Sequence, residues 1–172
     1  MNTPYLALAM AFMIATPLCN AVESPESAVP AFLGEKIWTS PGWLKVRATC
    51  YAASGKCASG IKTRYATDHV VGTASVPYWV PKGSLIRLWT ANGHRVYLAA
   101  DEGSAVESRK AARKGGKDTD ARMLPVIDFC APRQHWPDQV EIEIFDYVGS
   151  VPFEKLNQEQ KEQLMLYARR FI

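Results

Sequence analysis

The sequence has no run of 18 uninterrupted apolar residues, so it offers no segment that reads as a membrane-spanning helix. It also lacks a Walker-type phosphate loop, a dinucleotide-binding fingerprint and an HExxH pair, which excludes the commonest nucleotide and zinc-protease signatures. His69, His94 and His135 stand apart without metal-ligand spacing, which argues against a zinc site and leaves no metal expected. No serine lies in a nucleophile-elbow pattern. A strong excess of one charge is missing as well. The 20 Lys+Arg against 17 Asp+Glu give only +3, too little to point to nucleic acid. What is present, 48% hydrophobic and 22% charged residues, is a globular composition that excludes wholesale disorder and collagen-like repeats. A chain of 172 residues suits one domain with a short appendage.

Charged side chains are absent from Met1 to Ala21. Within this stretch, Tyr5 to Ala15 is an 11-residue apolar run, Pro17 ends it, and Cys19 and Ala21 put small residues at the −3 and −1 positions of a cleavage site. The pattern predicts a signal peptide over residues 1–21, cut after Ala21, and a periplasmic or secreted protein with no membrane span after cleavage. Thr16-Pro17-Leu18 lacks the small residue expected before a lipidated cysteine. Export favours disulfides, and the candidates are Cys50, Cys57 and Cys130. A Cys50–Cys57 bridge would clip a short loop and Cys50–Cys130 would tie distant segments; the pairing stays open.

Residues 22–42 form an N-terminal segment that begins as a Pro-rich, polar linker. Residues 43–148 read as mainly β. Strands are expected at Leu44–Thr49, His69–Val76, Leu85–Thr90, Arg95–Ala100, Pro125–Phe129 and Val140–Tyr147, with turns at Pro81-Lys82-Gly83 and Ala91-Asn92-Gly93. Six short strands in this length suggest a small closed barrel or a sandwich. A basic insertion interrupts the rhythm between 102 and 123. Arg109, Lys110, Arg113, Lys114, Lys117 and Arg122 outnumber Asp118 and Asp120 there, and Ala111-Ala112 predicts a short helix. Residues 149–172 read as a C-terminal helix with Phe153, Leu156, Leu164, Tyr167 and Phe171 near one face, a stripe expected to pack on the barrel.

The candidate chemistry is carboxylates at strand ends. Asp101 closes the apolar run Tyr97–Ala100 just before Glu102-Gly103, and Asp128 is embedded between Ile127 and Phe129. Apolar surroundings disfavour an ionised carboxyl and raise its pKa, which a proton donor to a glycosidic oxygen needs near neutral pH.

Five segments occur in one order: Val46-Arg-Ala-Thr49-Cys-Tyr51, Ser59-Gly60-Ile-Lys-Thr63, Val80-Pro81-Lys82-Gly83-Ser84, Tyr97-Leu-Ala-Ala-Asp101-Glu-Gly103-Ser-Ala-Val106 and Val126-Ile-Asp128. Together they resemble the three-aspartate domain of lytic transglycosylase A and of stationary-phase survival proteins. The resemblance covers about residues 44–147. It implies a six-stranded double-psi β-barrel, here with a basic inserted helix or loop and a C-terminal helix. It further implies cleavage of peptidoglycan between N-acetylmuramic acid (MurNAc) and N-acetylglucosamine (GlcNAc) by Asp acid/base catalysis without a cofactor. Asp101 and Asp128 match catalytic family aspartates; Tyr51, Thr63, Lys82, Gly103 and Ser104 fall in motif segments expected to contact or shape the substrate site.

The chain departs from that pattern where the family has its first aspartate, because Val76 stands there. Two expectations therefore run side by side. One is an exported lytic transglycosylase acting on glycan strands. The other is a noncatalytic barrel that binds cell-wall glycan or a protein of an envelope complex. A hydrolytic glycosidase on the same barrel is a weaker third, and needs a second carboxylate as base.

Overall fold

A computed structural model describes residues 29–91, 93–103, 106, 124–137 and 139–172. The expected signal peptide, Ser104 and most of the basic insertion lie outside the described residues. Six strands form: β1 (Gly42–Tyr51), β2 (Gly72–Ser75), β3 (Leu85–Thr90), β4 (Gly93–Asp101), β5 (Val126–Cys130) and β6 (Val140–Phe145). They close into a barrel in the order β1-β5-β2-β4-β3-β6. The pairs β1/β5 and β2/β4 are parallel and the others antiparallel. Closure satisfies every strand edge and leaves one apolar side to fill.

Alternation decides which residues fill it. Val46, Ile86, Leu88, Ile127, Phe129 and Ile142 point inward and are almost wholly buried. The Tyr97 and Phe129 rings tilt against each other inside, with centroids 4.7 Å apart. All six expected strands are present; β3 has the expected bounds, and the others differ by a few residues. β2 starts at Gly72 rather than His69 because Thr67 N–H donates to Val70 O, closing a turn that precedes the strand. The hairpin between β3 and β4 pairs Thr90 with Gly93, whose φ of 118° favours glycine.

A second apolar cluster covers the outer side of β3 and β4. Leu85, Val96 and Leu98 meet Leu33, Ile37 and Trp38 from the N-terminal segment, and Phe153, Leu156 and Leu164 from the C-terminal region. The expected helix is present as α1 (Gln158–Ala168), flanked by 3-10 turns. It starts later than the apolar stripe implied because Asn157 caps it. Asn157 Oδ1 accepts from Gln160 N–H and Gln160 Oε1 accepts from Asn157 N–H, a reciprocal capping box. No helix among the described residues is long and apolar enough to cross a membrane.

Cys50, Cys57 and Cys130 are free thiols, so the expected disulfide is not formed. Strand alternation separates Cys50 from the other two: Cys50 packs against the barrel interior, whereas Cys130 turns to the outer side and Cys57 belongs to the outer apolar cluster.

Candidate active site

Four polar residues fall in one row across four neighbouring strands. Thr49 of β1 is in register with Asp128 of β5, Asp128 with Ser75 of β2, and Ser75 with Asp101 of β4. Their chain neighbours Ala48, Ile127 and Ala74 belong to the barrel interior, so Thr49, Asp128 and Ser75 face outward. Asp101 reaches it through a β-bulge. Ala74 pairs with Ala99, but Ser75 pairs with Asp101, leaving Ala100 as the extra residue. An extra residue re-aims the side chains that follow it. The two aspartates flank the same strand, which puts their Cα atoms about two strand spacings, roughly 10 Å, apart.

Asp128 Oδ1 accepts a 2.8 Å hydrogen bond from Thr49 Oγ1. Burial pushes the Asp128 carboxyl above its ordinary value; the Thr49 hydroxyl pulls it back down, and the charge of Asp101 adds to the rise. Asp101 is held differently. Its Oδ1 accepts from the backbone N–H of Ala58 at 2.8 Å and of Glu102 at 2.9 Å. Lys82 Nζ donates to the Asp101 carbonyl oxygen at 2.7 Å and pairs with Glu102 at 3.1 Å.

The loop that supplies Ala58 N–H is itself anchored. Cys57 N–H donates to Ile61 O, Ser59 N–H to Ala100 O, and Lys161 Nζ of α1 donates to Ser59 O at 2.9 Å. Thr63 belongs to this loop and not to the row: its N–H and Oγ1 both bond Gly55 O.

One step along the strands, Tyr51 is in register with Cys130, and the Tyr51 hydroxyl shares a 3.3 Å hydrogen bond with Thr73 Oγ1. Burial raises the Tyr51 phenol and the Cys130 thiol, and pushes the Cys57 thiol up to about 11. Both thiols therefore stay protonated at neutral pH and are poor nucleophiles. Among the described residues no group of three or more His, Cys, Asp or Glu is gathered to hold a metal ion.

Of the residues expected from the sequence, Asp101 and Asp128 are brought into one row, with Tyr51 beside it and Lys82 behind the Asp101 backbone. Gly103 approaches so closely that a Cβ there would meet Ser75 Oγ at 3.0 Å. Ser104 lies outside the described residues. Val76, where the sequence resemblance expects an aspartate, is 2% exposed and fills the barrel interior. Sequence reasoning missed Ser75. It sits between both aspartates, is 2% exposed, and its Oγ has no hydrogen-bond partner among the described residues. Its only advance signal was a hydroxyl next to Val76, and the bulge that gives it meaning has no local sequence mark. No family model, curated protein or solved structure matches this chain.

Proposed function

We propose that the chain is an exported peptidoglycan-active enzyme, a lytic transglycosylase that cleaves the MurNAc–GlcNAc bonds of glycan strands. The observation that carries the reading is the row Thr49–Asp128–Ser75–Asp101, in which one carboxyl is pushed toward its protonated form by burial and the other is fixed by two backbone N–H groups. The barrel order with its two parallel pairs supports the double-psi topology that the resemblance implies.

In this reading the Asp128 carboxyl gives its proton to the glycosidic oxygen as the bond to the muramic C1 breaks, releasing GlcNAc as the free alcohol. Positive charge then develops on the muramic ring, and the Asp101 carboxylate stabilises it. The muramic O6 hydroxyl attacks C1 and gives its proton to Asp128. A 1,6-anhydro ring results, the acid is restored, and neither water nor a cofactor is consumed. Thr49 holds Asp128 in place through its hydroxyl.

A second reading, a noncatalytic barrel that binds glycan or an envelope protein, is favoured by the buried Val76, which stands where the resemblance expects a third carboxylate beside Asp101 and Asp128. Purified sacculi incubated with the protein separate these readings. Release of anhydromuropeptides, seen by mass spectrometry, supports the transglycosylase. Reducing-end products indicate a hydrolase, and pelleting with sacculi without release indicates the binding barrel.

Ser75 gives an independent expectation. A buried hydroxyl without a partner costs stability, so Ser75→Ala should raise unfolding stability by about 1 kcal/mol. The same change should lower anhydromuropeptide release, because it removes a polar group between the two acids. Urea denaturation checks the first part and product release the second.

A further inference from the structure

A cavity of about 490 Å³ opens at one end of the barrel beside the catalytic row, lined by Thr49, Tyr51, Arg133, Gln134, His135 and Trp136 among others. This volume lies within the roughly 300–1,000 Å³ of small-ligand clefts. Among the described residues no carboxylate lines it. Arg133 and His135 are exposed, and among the described residues Arg133 forms no ion pair. An uncommitted guanidinium at a cleft favours an anion, because it presents several donors in a fixed fork that fits a carboxylate. The indole of Trp136 is braced against Phe129, with ring centroids 5.8 Å apart, and supplies the flat apolar wall that the CH face of a pyranose covers. Thr49 joins this cavity to the row, since it both lines the cleft and donates to Asp128 Oδ1.

We infer that this cleft is a subsite for a carboxylate-bearing pyranose, with Arg133 binding the carboxylate and Trp136 the ring. The inference rests on the transglycosylase reading and adds to it the side chains that hold the muramic sugar and its carboxylate. MurNAc fits that chemistry and GlcNAc does not, because only the former carries a lactyl group. The carboxylate has two sources: the lactyl group itself on a peptide-free strand, or the stem peptide attached to it.

Calorimetric titration of the full chain tests this with three probes. They are the peptide-free GlcNAc–MurNAc disaccharide, the same disaccharide bearing an alanyl-isoglutamate dipeptide, and N,N′-diacetylchitobiose, which has no carboxylate. At least one anionic probe should bind about tenfold or more tightly than chitobiose, the effect of one charge-assisted hydrogen bond. Whichever anionic probe is preferred identifies the source of the carboxylate. Arg133→Gln should abolish the preference and Arg133→Lys should keep part of it. Equal binding of all three probes, no binding of any, or a preference that survives in Arg133→Gln overturns the subsite. Its failure is separable from that of the proposed activity. A chain that releases anhydromuropeptides without anionic preference loses only the subsite, and one that shows the preference without release loses only the transglycosylase reading.

Discussion

Replacing Asp128 by Asn should cut anhydromuropeptide release by about 10² to 10⁴-fold, the usual contribution of a positioned general acid, while raising the melting temperature at neutral pH. Both effects have one cause. The amide keeps an oxygen that can accept from Thr49 Oγ1, so the local geometry is retained. It has no acidic proton to give. For stability, burial raises the Asp128 carboxyl in the folded state above the ordinary 3.8. Below that value both folded and unfolded chains are protonated, and the residue carries no ionisation penalty. As pH rises through it, the unfolded chain ionises first, and the stability held by the protonated form is lost through the folded-state pKa. The variant escapes that loss. Thermal melts of both proteins at about pH 3 and about pH 7 should therefore show a gap that opens only at the higher pH. A variant that keeps wild-type release, or melts lower at neutral pH, contradicts the role assigned to this carboxyl.

Truncating Phe153 to Ala should cost about 3–5 kcal/mol of stability, a large part of what a domain of this size holds. Phe153 is 1% exposed and belongs to the outer cluster between the barrel and the C-terminal region. Its ring meets Tyr147 edge-on at 6.1 Å and fills the space over Gly83, where a Cβ would come within 2.8 Å of it. Gly83 also has a φ of 85°, so the turn and the ring leave room only for glycine. Lys161 Nζ lies 5.4 Å from the centre of the Phe153 ring and donates to Ser59 O, next to the Ala58 N–H that holds Asp101. Loss of the ring should thus loosen the Asp101 anchor as well as the helix. Urea denaturation measures the first effect. Release of anhydromuropeptides well below the melting temperature measures the second. A change under about 1 kcal/mol would mean that the C-terminal region is not part of the cooperative unit.

The barrel was legible in the sequence because its strands carry their own marks. Val140, Ile142 and Ile144 alternate with acidic residues, and Pro81-Lys82-Gly83 punctuates the chain between β2 and β3. The apolar stripe of the C-terminal region likewise announced a packed helix, although its start depended on the Asn157 cap. Asp101 and Asp128 could be named as candidates, but not their juxtaposition. That depends on a parallel pairing, an antiparallel pairing and a bulge meeting at Ser75, all long-range. The cysteines show the same limit. Their number invited a disulfide, whereas the alternation of β1 and β5 sends Cys50 inward and Cys130 outward. Arg133 to Trp136 drew no notice beyond an isolated His135, because a loop that lines a cleft has no periodicity to betray it.

Folding brings Asp101 and Asp128 close enough to feel each other, and burial together with the Asp101 charge raises the Asp128 carboxyl. Carbon-13 NMR titration of the Asp128 side-chain carboxyl, in the wild-type chain and in Asp101→Asn, reads this directly. The account predicts a midpoint above the ordinary 3.8 in the wild type, moving down when Asp101 loses its charge. An Asp128 that titrates at the ordinary value and ignores the Asp101 substitution would contradict it.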